Sequence, residues 1–148
     1  MAAISSTIEI ARSPEDVFAY LDEVTRHGEW QDGLISARLE TDGPVRVGSK
    51  VIEVRKIGGH ELTMSYEITE HDPPRTFGFR VLDGPIRPVG KGTIEALPDG
   101  AGSRVTLDLD LVGHGLMGKA LVGVARSQAA KQLPEDQQRL KEKLESQN

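Results

Sequence analysis

The sequence predicts an α+β fold: a curved antiparallel sheet of about seven strands, two short helices and a long C-terminal helix across the sheet. Three observations predict it. From Ile35 to Val112 apolar and polar residues alternate in short runs separated by Gly, Pro and Asp turn signals. No helical run separates these strands, so they pair as an antiparallel meander and not as parallel βαβ units. After Gly113 the period changes from two to that of a helix.

Taken in order, Ile4, Ser6, Ile8 and Ile10 share one face of a first strand, opposite Ser5, Thr7 and Glu9. Ser13-Pro14-Glu15-Asp16 then starts a helix: the serine caps, the proline suits the first turn, and the acids suit the positive dipole end. Val17, Phe18, Leu21 and Val24 follow at helical spacing, and a short second helix or turn is expected at Thr25 to Trp30. The next strand places Ile35, Ala37 and Leu39 together and ends at Asp42-Gly43-Pro44. Val51 to Ile57 and the run Leu62, Met64, Tyr66, Ile68 flank a Gly58-Gly59 hairpin signal. His71-Asp72-Pro73-Pro74 stops that strand. Phe77, Phe79 and Val81 alternate next, a loop is expected from Asp83 to Val89, and Gly92, Ile94 and Ala96 precede Pro98-Asp99-Gly100. Val105, Leu107, Leu109 and Leu111 form the inner face of the last strand. The stripe Leu116, Met117, Ala120, Leu121 and Val124 is expected to pack against them, with a bend or restart of the helix at Pro134.

The 148 residues suit one domain spanning 1–148, with 37% hydrophobic and 28% charged residues. No segment approaches the run of about 20 apolar residues that a membrane helix needs. Met1-Ala2-Ala3-Ile4 lacks the basic and apolar regions of a signal peptide. The absence of cysteine excludes disulfides, thiolate metal sites and cysteine nucleophiles, and a cytoplasmic location is expected. Eighteen basic against 23 acidic residues give a net charge of −5, with the basic residues scattered. That pattern argues against nucleic acid as a partner, and makes anionic membrane surfaces poor partners for such a chain. Membrane insertion is not expected.

Several motifs resemble those of the START-like, helix-grip (SRPBCC) superfamily, which includes polyketide cyclase/dehydrase-like proteins. They are Ser13 to Phe18 after the first strand, Glu29-Trp30 before the second, Gly84-Pro85, Gly92-Thr93-Ile94-Glu95, the run from Pro98 to Thr106, and the closing helix. The resemblance covers nearly the whole chain. It implies a central cavity for lipids, polyketides, hormones or other apolar molecules, with no universal catalytic set.

Gly113-His114-Gly115-Leu116-Met117-Gly118-Lys119 fits both G-x-G-x-x-G and G-x-x-x-x-G-K. Ala120 stands where a phosphate loop needs a hydroxyl, and no strand follows, so nucleotide binding is not expected. The glycines instead permit a sharp turn and a close approach of helix to sheet, although free amides there suit an anionic ligand group. His27, His60, His71 and His114 have no metal-ligand spacing and read as solvated loop residues. No metal or cofactor is expected. No carboxylate pair or serine triad is evident either.

In a meander, the turns at Gly58-Gly59, Asp83 to Val89 and Val112 to Gly115 fall at one end. That end gathers Trp30 or its neighbours, His60, Arg87, His114 and Lys119 as a candidate mouth. The candidate cavity wall is Met64, Tyr66, Phe77 and Phe79, with Leu107 and Leu109, closed by Met117 and Leu121 of the helix. The leading expectation is a binding or carrier protein for a small apolar molecule, acting as monomer or homodimer. The alternatives are a cyclase, dehydratase or aromatase acting on a polyketide-like substrate, and a ligand-responsive protein-interaction module.

Overall fold

A computed structural model describes residues 4–57 and 59–146. The order is β1 (Ile4–Ile10), α1 (Pro14–Leu21), a 3₁₀ segment (Val24–Glu29), β2 (Leu34–Leu39), β3 (Lys50–Ile57), β4 (His60–Asp72), β5 (Thr76–Val81), β6 (Ile86–Ala96), β7 (Ser103–Gly113) and α2 (Gly115–Ser146). The strands form one sheet ordered β1-β7-β6-β5-β4-β3-β2, and every neighbouring pair is antiparallel. The chain returns from β7 beside β1, so the meander is closed by its own first strand. This is the helix-grip α+β architecture, with α2 running along β1 and β7.

Local chemistry accounts for the ends of these elements. The Ser13 hydroxyl accepts a hydrogen bond from the Asp16 amide, and Pro14 occupies the first turn of α1. Val17, Phe18, Tyr20 and Leu21 turn inward. With Ile10, Ile94, Val105, Leu107, Leu140 and Leu144 they form one apolar cluster. A second cluster joins Val24, Leu34, Ala37, Val51, Tyr66, Ile68 and Val81 across β2 to β5.

Four expectations are corrected. The strand pairing shifts between Leu34 and Ser36, a bulge that reverses the phase. Leu34 is therefore buried and Ile35 is half exposed, the reverse of simple alternation. Second, β6 begins at Ile86, so the expected loop from Asp83 to Val89 is mostly strand. Third, α2 continues through Pro134 without restarting. Pro134 and Ala130 both lie on the exposed side, where water can serve the carbonyl that the proline cannot.

The fourth correction concerns which face of α2 meets the sheet. Along the helix Gly118, Asp136, Gln137, Leu140 and Leu144 are buried, and the half-buried Val122, Ala125, Ala129 and Leu133 share the inner side with them. Leu116, Met117, Leu121 and Val124 are 89%, 66%, 45% and 61% exposed. Two stripes compete in this sequence, and the smaller residues win because the helix start sits too close for large ones. A β-carbon on Gly118 would lie 2.2 Å from the Pro85 carbonyl oxygen and 2.9 Å from the Gly113 carbonyl carbon. Farther along, Gln137 anchors the helix: its amide nitrogen donates to the Ser6 and Val105 carbonyls at 2.9 and 3.3 Å. Its carbonyl oxygen accepts from the Ser6 hydroxyl at 2.6 Å.

Candidate functional site

The sheet's inner face is read from the register. Leu109, Leu107 and Val105 of β7 face Gly90, Gly92 and Ile94 of β6. Phe79 and Phe77 of β5 pair with Gly90 and Gly92, and their rings fill the space a side chain there would need. Phe77 joins the first cluster through an edge contact with Phe18 at 6.2 Å. Phe79 joins the second through Tyr66, with ring centroids 5.4 Å apart. The expected aromatic wall is thus divided between two apolar clusters. Met64 is partly buried beside the second cluster, and Leu107 is buried in the first.

A polar row crosses this apolar face. In β3, Glu53 and Arg55 are in phase with buried Val51. Glu53 is 5% exposed, and its carboxylate accepts from Arg55 Nε at 2.7 Å. Arg55 Nη2 also donates to the Gln31 side-chain oxygen. Val51 pairs with Tyr66, and Glu53 with Met64, so Tyr66 sits next to this row. Tyr66 is 7% exposed, yet its hydroxyl has no hydrogen-bond partner among the described residues. That oxygen is not fully enclosed. Burial first, and the Glu53 charge second, push the phenol above the ordinary tyrosine range, while Arg55 opposes. Tyr66 is therefore a protonated donor, nearly buried and not fully enclosed, with no hydrogen-bond partner among the described residues.

The helical segment before β2 borders the same region. His27 Nε2 lies 2.7 Å from the Leu21 carbonyl oxygen and so carries the proton. Its ring meets Trp30 edge-on at 5.8 Å. Desolvation lowers the His27 pKa, so this ring is not the solvated loop residue expected. Trp30 is buried in the first cluster, where Nε1 is enclosed without a hydrogen-bond partner among the described residues. Its carbonyl accepts from Arg139 Nε at 3.1 Å, tying the segment to α2.

The expected mouth comes together only in part. The β3–β4 turn, the β5–β6 turn and the β7–α2 junction do share one end of the sheet. Gly58 lies outside the described residues, and His60 and His114 are exposed. Arg87 is in β6, in phase with Val89 and Lys91 on the outer face, and its Nε donates to the Gly84 carbonyl at 3.0 Å. It leaves the interior because the strand begins four residues earlier than the loop reading required. Met117 and Leu121 lie on the exposed stripe of α2. His71, at the other end of β4, is 2.9 Å from the Asp22 carboxylate that follows α1. Two surface grooves, of about 480 and 330 Å³, flank α1 at that end, and Asp22 borders both. They are separate from the Tyr66 row.

Sequence reasoning missed Gln31, Glu53 and Arg55. The signal was present: two opposite charges two residues apart, in the apolar phase of one strand, must pair if that face is buried. Among the described residues no cluster of histidine and carboxylates is arranged for a metal. No helix among them is long and apolar enough to cross a membrane.

Comparisons with known proteins agree with this architecture. An uncharacterized protein of Mycobacterium tuberculosis is 26% identical over 137 residues, covering 88% of this chain and 90% of its own. The Zhui aromatase/cyclase of Streptomyces sp. R1128 superposes with a TM-score of 0.82 at 14% identity, covering 97% of this chain and 93% of that one. A START superfamily protein from Mycobacterium smegmatis superposes with a TM-score of 0.67 at 17% identity, covering 90% and 95%. The model of the family described as polyketide cyclase / dehydrase and lipid transport matches residues 1–145, and the chain belongs to that family.

Proposed function

We propose that the protein binds a small, largely apolar molecule on the inner face of its sheet, with a hydrogen-bond-accepting oxygen of that molecule held by Tyr66 and Arg55. One observation carries the reading: a nearly buried phenol, kept protonated, is not fully enclosed and has no hydrogen-bond partner among the described residues. A polar donor left unpaired on an apolar wall is the kind of placed group by which a small-molecule site orients its ligand. Met64, Phe79 and Leu109 offer apolar contact on either side. The family supports the class of ligand, since its description joins polyketide cyclases with lipid transport.

The test is native mass spectrometry of the purified protein for a co-purified small molecule, followed by displacement of N-phenylnaphthylamine with it. Saturable displacement that weakens in Tyr66→Phe supports the reading. Binding indifferent to Tyr66 and Arg55 contradicts it.

The cyclase or dehydratase reading has one observation in its favour. Tyr66, Arg55 and Glu53 place a proton donor, a fixed cation and a carboxylate within one polar row. An enzyme would convert a polyketone in single-turnover assays and lose conversion, but not binding, when Glu53 becomes Gln. A carrier would return its ligand unchanged.

A further inference from the structure

We propose that the N-terminal half of α2 is a docking surface for an anionic lipid bilayer, lying in the membrane interface through Leu116, Met117, Leu121 and Val124. The stripe exists because the sheet takes the opposite, smaller-residue side of the helix. Its large side chains are left 45–89% exposed within just over two helical turns. A cluster of this kind is unusual on a protein surface and marks a contact.

Charge selects the occupant. The chain carries −5 overall, yet no acidic residue occurs between Asp110 and Glu135. That stretch holds Lys119, Arg126 and Lys131. Arg126 donates to the Leu111 carbonyl at 3.1 Å. Lys119 and Lys131 are exposed, and neither forms an ion pair or side-chain hydrogen bond among the described residues. The positive end of the helix dipole adds to them. The nearest acids before the helix, Asp108 and Asp110, belong to the opposite phase of β7 from its inner-face leucines. An apolar helix face with cations beside it is the signature of an interfacial helix. The negative net charge of the remainder acts weakly beyond a Debye length of about 8 Å.

Two other occupants fit less well. A second copy would set the same cations and positive helix ends against each other, with no acid in the stretch to compensate. A protein partner is usually met by aromatic or arginine anchors and placed hydrogen bonds. This stripe presents only aliphatic side chains and a thioether on a convex cylinder, which suits partition better than recognition. Its role is independent of what the interior binds.

The experiment is co-sedimentation of the full chain with vesicles of equal parts phosphatidylglycerol and phosphatidylcholine, beside vesicles of phosphatidylcholine alone. The protein should pellet with the anionic vesicles, more weakly with neutral ones, and less as salt rises. Leu116→Ser with Met117→Ser should lower partition about tenfold or more. Lys119→Ala with Lys131→Ala should lower it about twentyfold, near fivefold per lysine. Lys143→Ala, at the far end of the same helix, should change nothing. These side chains are exposed, so unchanged urea midpoints will confirm folding. Absence of pelleting, or equal pelleting of all variants, overturns the proposal. So does loss of vesicle-free self-association in the Leu116/Met117 variant with vesicle binding intact, which would assign the stripe to a second copy.

Discussion

Replacing Tyr66 by Phe separates ligand binding from structure. The ring contact with Phe79 survives the change, so packing is conserved. The hydroxyl has no hydrogen bond to lose among the described residues. Leaving a buried polar group unpaired costs about 1–3 kcal/mol, but this oxygen retains some access to solvent, so most of that cost is absent. Stability should therefore change by less than about 1 kcal/mol in either direction. A ligand whose oxygen accepts from the phenol should lose about 0.5–1.5 kcal/mol, roughly two- to tenfold in Kd. Urea unfolding followed by fluorescence of Trp30, the sole tryptophan, measures the first quantity. Titration with anthrone and with anthracene measures the second, because only anthrone offers a carbonyl. The expected pattern is unchanged stability, unchanged anthracene affinity and weaker anthrone binding. Destabilisation beyond about 2 kcal/mol would mean that the hydroxyl holds the fold, and equal losses for both ligands would mean that it does not meet an acceptor.

Other outcomes follow from the same geometry. Arg55→Ala should destabilise by about 3 kcal/mol, because Glu53 would be left charged on a buried face; Glu53→Met with Arg55→Leu should recover most of it, as read from urea midpoints. His27 has its pKa lowered by burial, so the unfolded chain takes up this proton more readily. Its contribution to stability is complete above the ordinary histidine value of about 6.5 and is lost as pH falls below it toward the folded value. The urea midpoint should fall across that window, and His27→Phe should flatten the fall. Gly118→Ala forces a β-carbon onto backbone atoms and should cost about 1–3 kcal/mol or more. Gly123→Ala meets nothing within 4 Å and should stabilise α2 by up to about 1 kcal/mol, so thermal melts of the two should move in opposite directions.

Much of the fold was legible because half-buried strands leave a strong two-residue period. β1, β4 and β7 end close to where alternation and turn residues place them, and Ser13-Pro14 marks the start of α1. Three failures share a physical origin, since each depends on a neighbour that the local pattern does not contain. The bulge at β2 is set by its pairing with β3. Early β6 is held by β7, Ile86 pairing with Gly113, which overrides the turn chemistry of Gly84-Pro85 and the strand-breaking tendency of Pro88. The face of α2 is chosen by the close approach at Gly118, so the larger apolar stripe loses to the smaller one. The candidate site was half legible. Tyr66 and Met64 follow from alternation, whereas Glu53 and Arg55 were hidden by the expectation that charged residues face water. Arg87 was misplaced along with its strand.

The central claim is that an apolar ligand enters the inner face of the sheet and does not simply adhere to the exposed helix. The chain contains three methionines, Met1, Met64 and Met117. Met64 is partly buried in phase with Tyr66, while Met117 is 66% exposed on the outer stripe of α2. Methyl-labelled methionine NMR during titration with anthrone, without lipid, reads both places at once. A saturable shift of the Met64 methyl with Met117 unmoved is the predicted result. A shift of Met117 with Met64 unmoved, or no saturable shift at either, would contradict the account.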